Sequence, residues 1–288
     1  MPRALKYLLV VAAGVALLMG MAFTALYLMM KKDQPQMFAD PVADHVAPML
    51  SWPASNPTTD KLSILVFSKT QGFRHHESII AGKAYFQTLA EQRSWFIAET
   101  ENAAVFNPDQ LNRFHVVIFN NATRPYLTAT QRAALKEFIE HGGGFIAIHA
   151  AGDNSHHEWA WYRDQVIRAS FTMHTLFPVL QKATLITEDN QHPTTRHLPK
   201  RWQSTDEWYS FSDNPRDNGS KVLLRVDEST YNPWPCPMGD DHPIAWHHQV
   251  GQGRIYYNAM GHTAEQFEDE RFRIMLVNAI EWVARLPQ

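Results

Sequence analysis

The chain has 288 residues, a formal net charge of −3, fifteen histidines and a single cysteine. That balance leaves no basic footprint for nucleic acid and no acidic solvating tail, so the expected partner is a small molecule. Cys236, standing alone, excludes an internal disulfide, a CxxC redox pair and a multi-cysteine zinc site.

Residues 1–32 stand apart from the rest. The stretch from Tyr7 to Met30 is uncharged and is bounded by Arg3 and Lys6 before it and Lys31 and Lys32 after it. At 1.5 Å per residue such a helix crosses a ~30 Å hydrocarbon layer. We read it as an N-terminal transmembrane anchor that places the domain on the periplasmic, extracytoplasmic side. The competing reading is a signal peptide cut near Gly20 and Ala22, which would leave a secreted protein. Residues 33–60 are rich in proline and small polar residues and read as a linker and entry segment.

From residue 61 to 288 the pattern alternates. "KLSILVF", "WFIAET", "HVVIFN" and "FIAI" read as apolar strands, with helices in "HESIIAGKAYFQTLAEQ" and "TATQRAALKEFIEHGGG". Thr128 or Thr130 caps the second of these, and Gly142 lies past its end. "ATLITE", "KVLLRV", "IAWHH" and "RIYYNAM" read as later strands, and "DERFRIMLVNAIEWVARL" as a closing amphipathic helix. Continuous apolar strands separated by helices imply a doubly wound, mostly parallel α/β sheet covered on both faces. The loop-rich, aromatic stretch from Asp153 to Asp241 reads as insertions at one end of that sheet.

Ligands in open α/β sheets bind at the carboxyl ends of the strands. Lys69, Arg74, His75 and His76 follow the first strand, His149, Asp153, His156 and His157 follow "FIAI", and His262 follows "RIYYNAM". A histidine in a loop is most often a surface or hydrogen-bonded residue. Imidazoles gathered from several strand ends into one cleft either bind a metal or trade protons.

The segments "GFRHHESI", "GGGFIAIHAAGD", "TDEWYSF", "DESTY", "MGDDHPIAWHH" and "RIYYNAMGHTAE" together resemble the ThuA-like, or trehalose-utilisation, family over about residues 62–285. The resemblance implies a flavodoxin-like fold similar to the class I glutamine amidotransferases. In those enzymes a strand runs into a strained turn carrying a nucleophilic cysteine, which a later histidine activates. Here His149 stands at the turn, His262 matches the later histidine, and Cys236 lies outside both motifs. The chain is therefore expected not to be a cysteine-dependent glutamine amidotransferase.

The implied function is an enzyme of carbohydrate metabolism, a hydrolase or lyase acting on a sugar or ketosugar derivative by hydrolysis, elimination or isomerisation. His149 and His262 would be catalytic with Asp206 and Glu207 assisting proton transfer, while Arg74, Asp153, Trp208, Tyr209 and Asp241 would contact substrate. A divalent metal such as zinc would be held by His75, His149 and His262, provided that these side chains lie within about 8 Å of one another. An acid/base couple without metal is the other reading of the same histidines. Nothing indicates a nucleotide cofactor. The alternative class is a non-catalytic carbohydrate-binding or scaffold protein on the same fold. Asp241 followed by His-Pro also reads as a turn cap, and His248 as a satisfied core residue.

Overall fold

A computed structural model describes residues 2–50, 61–153 and 159–286. The chain divides into two compact units, Met1–Pro41 and Val42–Gln288. The first is a single long helix, α1 (Arg3–Asp33), followed by a 3₁₀ turn at Pro35–Phe38. Within it, Val11–Asp33 has a mean hydropathy of 2.0, long and apolar enough to cross a membrane.

In the second unit, β1 (Ser63–Phe67) leads through α2 (His76–Arg93) to β2 (Phe96–Thr100). The short α3 (Pro108–Leu111) precedes β3 (Val116–Asn120), and α4 (Ala129–Glu140) precedes β4 (Gly144–Ile148). Then come β5 (Phe171–His174), β6 (Leu180–Thr187), β7 (Arg201–Glu207), β8 (Tyr209–Phe211) and β9 (Lys221–Asp227). The chain finishes through β10 (Pro243–Val250), β11 (Gly253–Asn258) and α5 (Glu270–Val283).

Every residue of β1, β3 and β4 is buried, as a strand covered on both faces requires. The helix boundaries follow local chemistry. Thr128 caps α4 in a capping box with Gln131, and Gly142 follows at φ +112°. Asp269 caps α5 by accepting from the Arg271 N–H. Phe67, Phe119 and Phe145 meet edge-on or tilted across neighbouring strands, with ring centroids 5.0–5.2 Å apart.

The main sheet runs β2-β1-β3-β4-β11-β10-β9-β6-β7. Its first five strands are parallel, and the remaining four alternate antiparallel. The strand order reverses between β1 and β3, which is the switch point where such folds place a cleft. The aromatic stretch after residue 153 therefore extends the sheet, and the β5–β8 ribbon forms a second small sheet beside it. Following the strand directions, one rim carries the carboxyl ends of β1–β4, β11, β9 and β7 and the amino ends of β10 and β6. His156 and His157 lie outside the described residues.

Candidate metal-binding and catalytic site

Four side chains converge on that rim. His75 ends the loop after β1 at the N-cap of α2, His149 follows β4 directly, and His262 follows β11. Glu207 is the last residue of β7, the far edge of the sheet. One ligand atom from each of the four lies within 4.8 Å of the others.

His149 sits at φ +48°, the left-handed region that a non-glycine residue enters at a cost of about 1–3 kcal/mol. The elbow expected from the sequence is thus a real backbone feature, carrying an imidazole. Its Nδ1–H donates to the Ala259 carbonyl at 2.6 Å, which leaves Nε2 as the nitrogen facing the cluster. The Tyr257 hydroxyl donates to the His149 carbonyl at 3.1 Å, and the Tyr209 ring lies 4.2 Å from the imidazole.

His149 Nε2 is 3.2 Å from Glu207 Oε2 and 3.1 Å from His262 Nδ1, and the latter is 3.0 Å from the same carboxylate oxygen. His75 lies edge-on to both histidines with centroids 4.8 Å away, and its buried Nδ1 has no hydrogen-bond partner. Burial, and then the two neighbouring imidazoles, push the His75 pKa well below its ordinary value. Burial raises the Glu207 carboxyl, but its contacts with His149 and His262 outweigh it and hold the group well below the usual carboxylate range. Burial lowers His262, but the Glu207 hydrogen bond and charge reverse this and raise it.

Asp206 is completely buried and acts on the backbone. It accepts from the N–H groups of Gly261 at 2.8 Å, Glu207 at 2.8 Å and His262 at 3.2 Å. Gly261 has φ +116°, and a Cβ there would meet Ile148 Cγ2 at 2.9 Å, so glycine is required in the turn that presents His262. Asn121, itself at φ +52°, donates from Nδ2 to the Gly261 carbonyl from the other side.

The other expected site residues are placed differently. Tyr209 is buried against His149, and burial, then Glu207 and Asp153, push its phenol well above its ordinary pKa. Asp153 is half-buried, just past the turn that His149 opens. Trp208 is 1% exposed, and its indole N–H donates to the Gln181 carbonyl at 2.8 Å. Arg74 makes a two-pronged pair with Glu101 at 2.8 and 2.9 Å. Asp241 pairs with Arg216 at the surface, His76 is exposed, and Cys236 lies in the loop after β9. His248 is satisfied in the core by Ser220 and Gln165.

Sequence reasoning missed His174. Its Nδ1–H donates to the Thr175 carbonyl at 2.8 Å and lies 3.2 Å from Glu207 Oε1, the carboxylate oxygen turned away from the other imidazoles. β5, which carries it, is only four residues long and shows no strand signal.

Residues 63–283 match the model of the ThuA family, described as trehalose utilisation. No functionally curated protein matches the chain. Among solved structures, a ThuA-like protein from Bacteroides uniformis ATCC 8492 is 26% identical with a TM-score of 0.66, covering 81% of this chain and 95% of that one. One from Parabacteroides merdae ATCC 43184 shares the fold at 17% identity and a TM-score of 0.63, covering 78% and 90%. So does a cytoplasmic protein of Salmonella typhimurium LT2, at 11% identity and a TM-score of 0.54, covering 77% and 99%.

Proposed function

The chain belongs to the ThuA, or trehalose-utilisation, family, and on that premise we propose that it is an enzyme acting on a sugar or ketosugar derivative at a divalent metal site. His149, Glu207 and His262 would hold the ion, zinc being the type that suits this donor set, with His75 as the fourth donor and substrate entering a fifth position, to which zinc can expand.

The observation that carries this reading is the triangle of His149 Nε2, Glu207 Oε2 and His262 Nδ1, with edges of 3.0–3.2 Å. A tetrahedron with ligand distances of ~2.0–2.1 Å has edges of about 3.3 Å. A proton on His262 Nδ1 covers two edges of the triangle and leaves the Nε2 lone pair of His149 facing a carboxylate oxygen. A cation held between the three would cover all three edges and would also give His75 a partner. The His149–Ala259 bond is the outer support that fixes which nitrogen is offered.

A divalent ion held there supplies Lewis-acid polarisation of a carbonyl or hydroxyl oxygen. The protein does the rest. Asp206 fixes the backbone that presents His262, and His174 Nδ1 stands 3.2 Å from the second oxygen of Glu207. Asp153 would meet substrate and Tyr209 packs against His149, while Trp208, Arg74 and Asp241 support the surrounding structure through Gln181, Glu101 and Arg216. Hydrolysis, elimination and isomerisation of a ketosugar all pass through a polarised oxygen and a moved proton.

We read α1 as an uncleaved anchor with the domain on the extracytoplasmic side. A continuous helix from Arg3 to Asp33 exceeds the ~7–15-residue apolar core of a signal peptide.

Elemental analysis of the purified protein tests the site, with turnover of a ketosugar panel measured beside it. Stoichiometric metal that disappears in His149→Ala and His262→Ala supports the reading. A metal-free protein that takes up no zinc on titration overturns it.

A further inference from the structure

We propose that the rim around the mouth of this cluster rests on the surface of a lipid bilayer, the one that the protein's own N-terminal helix enters. The proposal builds on α1 as an anchor and does not depend on what the cluster catalyses.

The first observation is where exposed apolar side chains fall. Among the described residues from 42 onward, Val42, Val46 and Met49 are exposed on the entry segment. Every other large exposed apolar residue lies at the functional rim. Phe73 follows the carboxyl end of β1, and Ile80 is in the first turns of the helix that starts there. Met173 is on the β5–β8 ribbon, and Phe177 and Leu180 lead into the amino end of β6. Trp234 follows the carboxyl end of β9. Among the described residues the opposite rim carries none. A soluble surface scatters such residues singly, and their collection around one edge marks a contact face.

Their chemistry suits a membrane interface. Phe177 is 74% exposed and Trp234 53% exposed, and the two rings stack with centroids 6.0 Å apart. Aromatic rings of this kind collect at the level of the lipid headgroups.

The second observation is independent of exposure. The entry segment joins the domain at this same rim. Asp44 accepts from Lys69 Nζ at 2.5 Å and from the Ala103 N–H at 2.7 Å, and its carbonyl accepts from Gln131 Nε2 at 2.8 Å. Those three donors follow β1, β2 and β3 at their carboxyl ends. Only residues 34–41 connect α1 to this docked segment, and eight residues reach at most about 29 Å. A membrane surface is therefore the partner brought to this rim by the chain itself.

The test uses the full chain in phosphatidylcholine nanodiscs. Cys236, the single cysteine, lies two residues from Trp234 and takes a bimane label. Lipids with a nitroxide on the headgroup should quench that label severalfold more than one on Cys236→Ser/Asn112→Cys, since Asn112 is exposed beside the opposite rim. Adding Phe73→Ser and Phe177→Ser should lower the Cys236 signal toward the Asn112 level. Equal quenching at the two positions overturns the proposal, as does a concentration-dependent dimer that shields Cys236 from the lipid. Carbonate extraction separates the two readings. Extracted protein means that α1 is no anchor and both fall, whereas retained protein with an unquenched Cys236 sinks the rim contact alone.

Discussion

His149 and Ala259 are joined by a 2.6 Å hydrogen bond from the imidazole Nδ1–H to the carbonyl. That bond settles the tautomer of a histidine whose other nitrogen meets a carboxylate and a second imidazole. Metal stoichiometry should follow the triangle and not the cysteine. In plasma mass spectrometry His149→Ala and His262→Ala should retain little metal, while Cys236→Ser should match the parent in metal content and in turnover.

His174→Ala should weaken metal binding without abolishing it. It removes the imidazole that stands 3.2 Å from Glu207 Oε1, together with its bond to the Thr175 carbonyl, and loss of an outer support of this kind costs about 10–100-fold in affinity. Competition against a fluorescent zinc chelator reads this directly, and an unchanged affinity would deny His174 that role.

Asp206→Asn places an amide where three backbone N–H groups need an acceptor. One amide oxygen cannot replace two carboxylate oxygens, and its NH₂ faces donors. Urea unfolding should show a loss of about 1–3 kcal/mol, with weaker metal binding because His262 loses its backbone support.

Gly261→Ala should destabilise the chain by more than about 1 kcal/mol, since φ +116° excludes a Cβ even before the clash with Ile148. Calorimetric unfolding beside zinc titration should show both stability and affinity falling, because the same turn presents His262.

Acid should destabilise the protein through its buried histidines, three of which lie outside the cluster. Burial, the leading cause in each case, lowers His192 to about 4, and His247 and His248 to about 3. Their unfolded value is about 6.5, so below that pH the unfolded chain binds the extra protons. Stability is complete above about pH 6.5 and falls as pH drops toward 4. Each group contributes at most about 1.4 kcal/mol per pH unit. Melting temperature against pH should be flatter for His247→Gln than for the parent.

The parallel half was legible because buried strands such as "SILVF" and "HVVIFN" are continuous apolar runs, and α4 declares its cap. The strand-end rule placed His75, His149 and His262 on one rim before any coordinate. What escaped was the return of the sheet's far edge. No local pattern says that β7 will bring Glu207 to histidines on distant strands, or that His174 will stand behind it. Trp208 shows the same limit. β7 ends at Glu207 and β8 begins at Tyr209, and side chains alternate along such a strand. Residues 207 and 209 therefore face His149, and the indole between them turns to Gln181.

Among the described residues, β7 is hydrogen-bonded to a neighbouring strand on one side only. Three members of the cluster ride on the interior, parallel part of the sheet, and the sole carboxylate arrives on this outermost strand. Edge strands open at a fraction of the free energy of global unfolding. Fraying of residues 201–207 should therefore withdraw Glu207 from the cluster and Asp206 from the turn that presents His262 in one local event, while His75 and His149 stay on their own strands.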